Sequence, residues 1–340
     1  MARPLVSFLA WSPVPGRSSE IATALGGDSR CFHPRLKSRK LILFRYALNG
    51  ARTVAYLVGK RPRAVIVTNP PIFPALIAYA YCLVLRAPLV LDSHPGSFGL
   101  KGDALGKAML PVHRWLARRA TATLVTTEGL SRQILSWGGR PLIVHEGPPM
   151  WEADAPRQPQ GVLNVLFVTV FEVDEAVAEV FEAARQIEGM RLEVTGDPAR
   201  CSQRLRDSLP GNVTLTGFLD GPSLAAAFSR ADVVLALTTE PSSVLRAGYE
   251  AVYARRPLIV SDWPNLREVF PYAVYVSNDA ASIAAGLEFA RDHLEELNAA
   301  AHDALTTQED RWSEQLGSIR AALRGKTTSI LANPAAAARE

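Results

Sequence analysis

Residues Ala231 to Asp262, ADVVLALTTEPSSVLRAGYEAVYARRPLIVSD, leave this chain few choices of fold. Val233–Leu237 is an unbroken apolar run, the pattern of a strand buried on both faces of a parallel sheet. The Thr-Thr-Glu-Pro-Ser-Ser cluster after it reads as a turn, and Val244–Ala254 as a helix with Ser242 or Ser243 as its N-cap. Pro257 closes a second turn, and Leu258–Val260 begin another strand. A strand, a helix and a strand within about 30 residues form a crossover unit whose helix N-terminus opens beyond the carboxyl end of a strand. Such a terminus offers unpaired backbone N–H groups and a partial positive charge, a seat for a phosphate. Glu250 follows Arg246 by four residues and shares its side of the helix. A carboxylate there can accept two hydrogen bonds from a ribose diol while the helix start holds a diphosphate, the outline of a nucleotide-sugar site.

The same alternation runs through the whole chain. Strands are expected at Leu5–Ala10, Ala64–Thr68, Pro88–Leu91, Thr123–Thr126, Val162–Val168, Arg191–Thr195 and Val213–Thr216. Between and after them, helices are expected at Ser19–Leu25, Phe44–Val58, Ile72–Leu85, Glu175–Gln186, Ser223–Arg230, Asn265–Phe270, Ala280–Leu297 and Arg311–Leu323. Trp151–Gln160, polar and proline-bearing, reads as a linker. At 340 residues the chain has room for two cores, so 1–150 and 161–305 are expected as two α/β domains. Residues 306–325 form a closing helix and 326–340 a disordered tail in this reading.

Charge separates the halves. Residues 1–150 hold 20 Lys or Arg against 6 Asp or Glu, a net of +14, whereas 151–340 hold 17 against 27, a net of −10. The first half therefore suits an anionic partner. Nucleic acid is not the expected one, because no helix-turn-helix, zinc or aromatic-basic signature accompanies the charge. His33–Arg45, HPRLKSRKLILFR, places basic residues beside an apolar block, a composition suited to an anionic bilayer at about 1 kcal/mol per Lys or Arg. Ile72–Leu85 contains Pro74 and is too short to span a membrane. With no basic, apolar leader at Ala2–Ala10 and with Cys31, Cys82 and Cys201 in no ligand spacing, a reducing compartment is expected: cytoplasmic, at the inner face of the membrane.

Asp92 and His94 fall just past a strand end, where open parallel sheets bind ligands, and either side chain can take a proton from a hydroxyl. Gly196 and Gly217 also end strands and suit close backbone approach to a ligand.

These residues carry a resemblance. Glu250, Ala251 and Pro257 match the second half of the pattern of family 4 GT-B glycosyltransferases, in which two glutamates stand eight positions apart; the earlier position here is Ser242. The run VTNPPIFPALIAYAYCLVLRAPLVLDSHPGSFG resembles the β-1,4-mannosyltransferases that extend a lipid-linked chitobiose, as does His145-Glu146-Gly147-Pro148-Pro149. The resemblance implies a GT-B fold, two Rossmann-like doubly wound domains facing across a cleft. It implies a nucleotide-diphosphate sugar as donor, GDP-mannose in the mannosyltransferase relatives, and a lipid-linked or glycan acceptor. Carried onto this chain, it gives Glu250 the ribose and gives Arg246 with Ser242 and Ser243 the diphosphate. Thr169, Gly196 and Phe218 border the donor, Asp92 and His94 serve catalysis, and Arg17, Ser18 and Phe98 face the acceptor. No aspartate pair suited to a bridging metal is evident, so no cofactor is expected and the helix dipole would stabilise the leaving group. A binding protein that kept the fold without turnover, and a sugar-nucleotide epimerase, are the alternatives.

Overall fold

The computed structural model describes residues 5–12, 16–33, 41–99, 104–155 and 161–324. The described residues form two compact units, one made of those up to His145 and from Ser313 onward, the other of Glu146–Trp312. The tail after 325 and the basic stretch 34–40 lie outside the described residues.

In the first unit the chain alternates β1 (Val6–Ala10), α1 (Gly16–Ala24), β2 (Asp28–Cys31), α2 (Ile42–Lys60), β3 (Ala64–Asn69), α3 (Ile72–Leu85) and β4 (Leu89–Ser93). It continues through α4 (Ala104–Ala117), β5 (Ala122–Val125), α5 (Glu128–Ser136) and β6 (Pro141–Ile143). The strands make one sheet in the order β2-β1-β3-β4-β5-β6, every neighbouring pair parallel. Helices cover such a sheet on both faces, which is why Val65, Ile66 and Val67 are all fully buried although alternate side chains point opposite ways.

The second unit repeats the plan. It runs β7 (Leu163–Phe167), α6 (Val177–Gln186), β8 (Met190–Thr195), α7 (Gln203–Asp207), β9 (Val213–Gly217), α8 (Gly221–Arg230) and β10 (Val233–Ala236). Then come α9 (Arg246–Tyr253), β11 (Leu258–Ser261), α10 (Pro264–Val269), β12 (Val274–Val276), α11 (Ala280–Asp292) and α12 (Leu294–Leu323), whose residues from Ser313 onward belong to the first unit. Its six-stranded sheet has the order β12-β11-β10-β7-β8-β9, again all parallel. Both units are therefore doubly wound, Rossmann-like domains. In each, the chain builds outward on one side of its first strand and then returns to the other, so the order reverses between β1 and β3 and between β7 and β10. Ligands of open α/β sheets bind at these switch points, beyond the carboxyl ends of the strands.

Several element boundaries differ from expectation, and the expected helix Ala280–Leu297 ends at Asp292. The expected break between Leu297 and Arg311 is absent, and α12 is one helix of 30 residues. Ala301, Ala304, Gln308 and Trp312 are buried at spacings of three, four and four, a helical stripe that the polar residues between them obscure. Trp151 and Asp154, read as linker, are held to the second unit: Trp151 stacks on Phe228 at 4.9 Å, and the Arg256 guanidinium donates to the Asp154 carbonyl at 2.8 Å. Helix α1 begins at Gly16 and not at Ser19, which carries Arg17 and Ser18 out of the expected loop and into its first turn. Among the described residues no helix is long and apolar enough to cross a membrane.

Candidate functional site

In the second unit, the loops after β7 and β10 meet at the switch point, where the Thr239 N–H donates to the Asp174 carbonyl at 2.7 Å. The β7 loop is built around a carboxylate. Glu175 accepts from the Thr169 hydroxyl and from the Glu172 N–H at 2.9 Å, and burial pushes its carboxyl up against those hydrogen bonds. Thr169 itself is buried and also exchanges backbone and hydroxyl bonds with Thr195. Gly196 closes over this turn with φ +100°, and a Cβ there would stand 2.6 Å from the Thr169 carbonyl oxygen, so only glycine fits. Phe218, next to Gly217 at the end of β9, is exposed.

The β10 loop corrects the capping expectation. The Glu240 carboxylate accepts from the Ser242 N–H at 3.2 Å and from its hydroxyl at 2.7 Å, while the Ser243 N–H donates to the Glu240 carbonyl at 3.0 Å. Both serines are thus held in a turn closed by Glu240, and neither caps the helix. α9 starts at Arg246 with Leu245 as its N-cap, and no side chain caps it. The Glu240 carboxylate is thus hydrogen-bonded to Ser242, the residue at the position of the first glutamate in the family 4 pattern.

Arg246 and Glu250 do lie together, as their spacing requires. The Arg246 guanidinium donates to Glu250 at 2.9 Å and, with its other arm, to Glu146 at 3.1 Å. Glu250 is 7% exposed and Arg246 about a third. Burial pushes the Glu250 carboxyl up, and the adjacent Arg246 guanidinium opposes that shift. Glu146 is the residue that sequence reasoning missed. Its signal was its place in His145-Glu146-Gly147, just past a strand, the same argument that had singled out Asp92.

The first unit holds the second constellation. Arg17 donates to both Asp92 oxygens at 3.0 and 3.3 Å, and to the His145 and Val144 carbonyls at 2.7 and 2.9 Å. His94 meets the other side of the same carboxylate, Nε2 to Oδ2, at 3.1 Å. Burial alone raises a carboxyl, but the Arg17 and His94 partners outweigh it and hold Asp92 down to about 2. Asp92 is 2% exposed, whereas the His94 side chain is 35% exposed, so His94 is the accessible member of the pair. Behind them, His113 Nδ1 donates to the Ser97 carbonyl at 3.0 Å and its Nε2 lies 3.0 Å from the Ser93 hydroxyl; burial lowers His113 to about 4, so it is neutral near pH 7.

The acceptor residues expected from the resemblance are placed differently. Arg17 is 7% exposed and occupied by Asp92. Ser18 is buried and accepts from the Ser29 hydroxyl at 3.2 Å. Phe98 is buried and stacks on Trp137 at 5.4 Å. All three belong to the interior that shapes this end of the sheet, because the early start of α1 and the turn after His94 fold them inward. Among the described residues no group of three or more His, Cys, Asp or Glu side chains could hold a metal ion.

Comparison with known proteins follows the same division. Residues 9–149 match the family model described as Glycosyl transferase 4-like domain, and residues 175–315 the one described as Glycosyl transferase-like. No curated protein sequence matches the chain. Among solved structures, HepE from Anabaena, in complex with UDP and glucose, superposes with a TM-score of 0.73 at 14% identity over 95% of this chain and 100% of that one. Sucrose-phosphate synthase from Thermosynechococcus elongatus gives 0.70 at 15% identity, over 94% and 98%. A glycosyltransferase from Rickettsia africae gives 0.64 at 11% identity, over 96% and 100%. The fold is that of the GT-B proteins.

Proposed function

The chain is of GT-B glycosyltransferase type, each of its two domains matching a glycosyltransferase family, and on that premise we propose that it transfers a hexosyl group from a nucleoside-diphosphate sugar to a hydroxyl of a glycan acceptor. The observation that carries this reading is the Glu146–Arg246–Glu250 cluster at the uncapped start of α9, beside the switch point of the second sheet. In this reading the ribose diol donates to Glu250, and the start of α9, with Arg246, takes the diphosphate. In the same reading the Glu240 carboxylate, hydrogen-bonded to Ser242, faces the donor sugar. Helix dipole and guanidinium together stabilise the leaving diphosphate without a resident cofactor. The HepE complexes with UDP and UDP-glucose favour a uridine donor, whereas GDP-mannose rests on the sequence likeness to mannosyltransferases alone.

In the first domain His94, not Asp92, is the base: its imidazole takes the proton of the acceptor hydroxyl, and the Asp92 carboxylate stabilises the imidazolium that forms. A nucleotide panel tests the donor half. UDP at about 100 times its Kd should stabilise the full chain by ~2.7 kcal/mol, and Glu250→Gln should abolish the shift at that concentration. Equal shifts in both proteins would remove Glu250 from the site.

The acceptor is proposed to be lipid-linked, with the first domain resting on an anionic bilayer. Support comes from α2, whose solvent-facing side is apolar: Leu43, Ala47, Ala51, Val54 and Val58 are all exposed. Leu83 and Val84 at the end of α3 are exposed beside it, across a groove of about 510 Å³ that Val54, Val58 and Val84 line. Arg52, Arg61, Arg63 and Arg86 are also exposed on or next to these helices. Apolar surface framed by arginine is the composition of a membrane-surface helix. The chain should co-sediment with vesicles containing phosphatidylserine and less so in high salt, and Val58→Asp with Val84→Asp should release it. Binding that ignores both salt and these substitutions would remove the membrane from the account.

A further inference from the structure

Arg246 is gripped by two carboxylates, and only one of them has a part in the reading above. Its Nε–H donates to Glu250 at 2.9 Å and an Nη1–H to Glu146 at 3.1 Å. One guanidinium between two carboxylates leaves the trio with an excess of negative charge at the place assigned to a diphosphate. We propose that Glu146 is the residue that releases the spent nucleotide: its carboxylate repels the nucleoside diphosphate left after transfer more than the nucleotide sugar that entered. The proposal rests on the transferase reading and deepens it.

Three observations lead there. First, Glu146 is an addition to the helix pair and not a by-product of it. Glu250 lies four residues beyond Arg246, so those two meet wherever α9 forms. Glu146 reaches the same guanidinium from a hundred residues earlier.

Second, that carboxylate is anchored. The Glu146 carbonyl accepts from the Tyr253 hydroxyl at 3.4 Å, in α9, and from the Gln308 amide at 3.3 Å, in α12. The next residue, Gly147, packs so close to Trp312 that a Cβ would stand 2.6 Å from the indole. With 12% of its side chain exposed, Glu146 keeps a charge that water and salt screen weakly.

Third, the reaction changes the charge that this carboxylate meets. The acceptor oxygen bonds to the anomeric carbon, the bond from that carbon to the β-phosphate oxygen breaks with its electron pair left on the phosphate, and the hydroxyl proton passes to the base. The diphosphate thereby goes from about two negative charges to about three near pH 7. Arg246 attracts donor and product alike. Glu146 takes back part of that attraction, and takes back more from the product. Product release limits the turnover of many enzymes, so a fixed anion at this point gives up some stabilisation of the leaving group and shortens the product's stay.

The test is calorimetric titration of the full chain and of Glu146→Gln with UDP-glucose and with UDP, or with GDP-mannose and GDP should guanosine be the base preferred. Glutamine keeps an oxygen for the Arg246 N–H and loses only the charge. The variant should bind UDP about tenfold tighter and UDP-glucose about fivefold tighter, so that product gains about twofold on donor. Because that ratio compares two ligands in one protein, general damage to the site cancels. Glu146→Asp, which keeps the charge, should hold the ratio near its wild-type value. Glu250→Gln should instead lose nucleotide binding, so the two carboxylates on one guanidinium act with opposite sign. Weaker binding of both ligands to Glu146→Gln, an unchanged ratio, or a ratio that moves as far in Glu146→Asp overturns the proposal and leaves Glu146 as a support for Arg246. A wild-type chain that binds none of UDP, GDP and ADP removes the transferase reading, and this proposal with it.

Discussion

Replacing His94 with alanine lowers kcat for sugar transfer by about 10²- to 10⁴-fold, the range a positioned general base supplies, and leaves nucleotide binding intact. The expectation follows from how the Asp92–His94 pair is divided. Asp92 has both oxygens engaged by Arg17 and one by His94, is 2% exposed, and is held down to about 2, so it is a carboxylate with little tendency to accept a proton. His94 sits on the same carboxylate with a third of its side chain exposed. An anion fixed behind an imidazole favours the charged ring that proton abstraction creates. If His94→Ala keeps wild-type kcat, the base lies elsewhere.

Asp92→Asn should act first on stability. Arg17 is 7% exposed, and Asp92→Asn takes away the carboxylate paired with its buried guanidinium, the kind of loss that costs about 3–5 kcal/mol. At about 2–4 °C per kcal/mol for a domain of this size, the unfolding midpoint of the first domain should fall by about 6–20 °C. A double replacement, Arg17→Leu with Asp92→Leu, should recover part of the loss, because it removes the buried charge along with its partner. A double variant less stable than Asp92→Asn alone would refute the ion-pair explanation. The pH dependence has a fixed sign. Asp92 has a folded pKa of about 2, below its ordinary 3.8, so its contribution is complete above about 3.8 and is lost as pH falls through 2. His113, lowered from 6.5 to about 4 by burial, also favours the folded state at higher pH, and its contribution is lost earlier, between about 6.5 and 4. Wild type should therefore weaken in two stages on acidification, and Asp92→Asn should lack the second.

Much of this architecture was legible because buried parallel strands run apolar without interruption. Val233–Leu237 and Leu258–Val260 could be read as strands with a helix between them, and the helix Ile72–Leu85 was bounded correctly by Pro71 and Arg86. Arg246 and Glu250 were legible for a similar reason, since four residues along a helix fix a neighbour whatever the rest of the chain does. Contacts made over long sequence distances were not. Nothing local to Arg246 announces Glu146, a hundred residues earlier, and nothing in a Pro-Gly-Arg-Ser stretch says that the arginine is drawn inside by Asp92. The capping serines failed for a subtler reason. Ser242 and Ser243 have the right chemistry for an N-cap, but Glu240 captures Ser242 first and delays the helix to Arg246. The run of rings Trp11, Tyr46 and Phe73, 5.7 and 5.2 Å apart, was equally hidden, because they come from the residue after β1, from α2 and from α3.

The measurement that bears most directly on the central claim is release of free UDP from UDP-glucose by the purified full chain, with and without a panel of glycoside and lipid-linked acceptors. Release that rises with acceptor, is matched by a new glycosidic bond, and is lost in both His94→Ala and Glu250→Gln is the expected result. A chain that binds the nucleotide sugar and yet turns over no donor with any acceptor, or that alters the donor sugar with no acceptor present, would contradict it and leave a binding protein in the first case and an epimerase in the second.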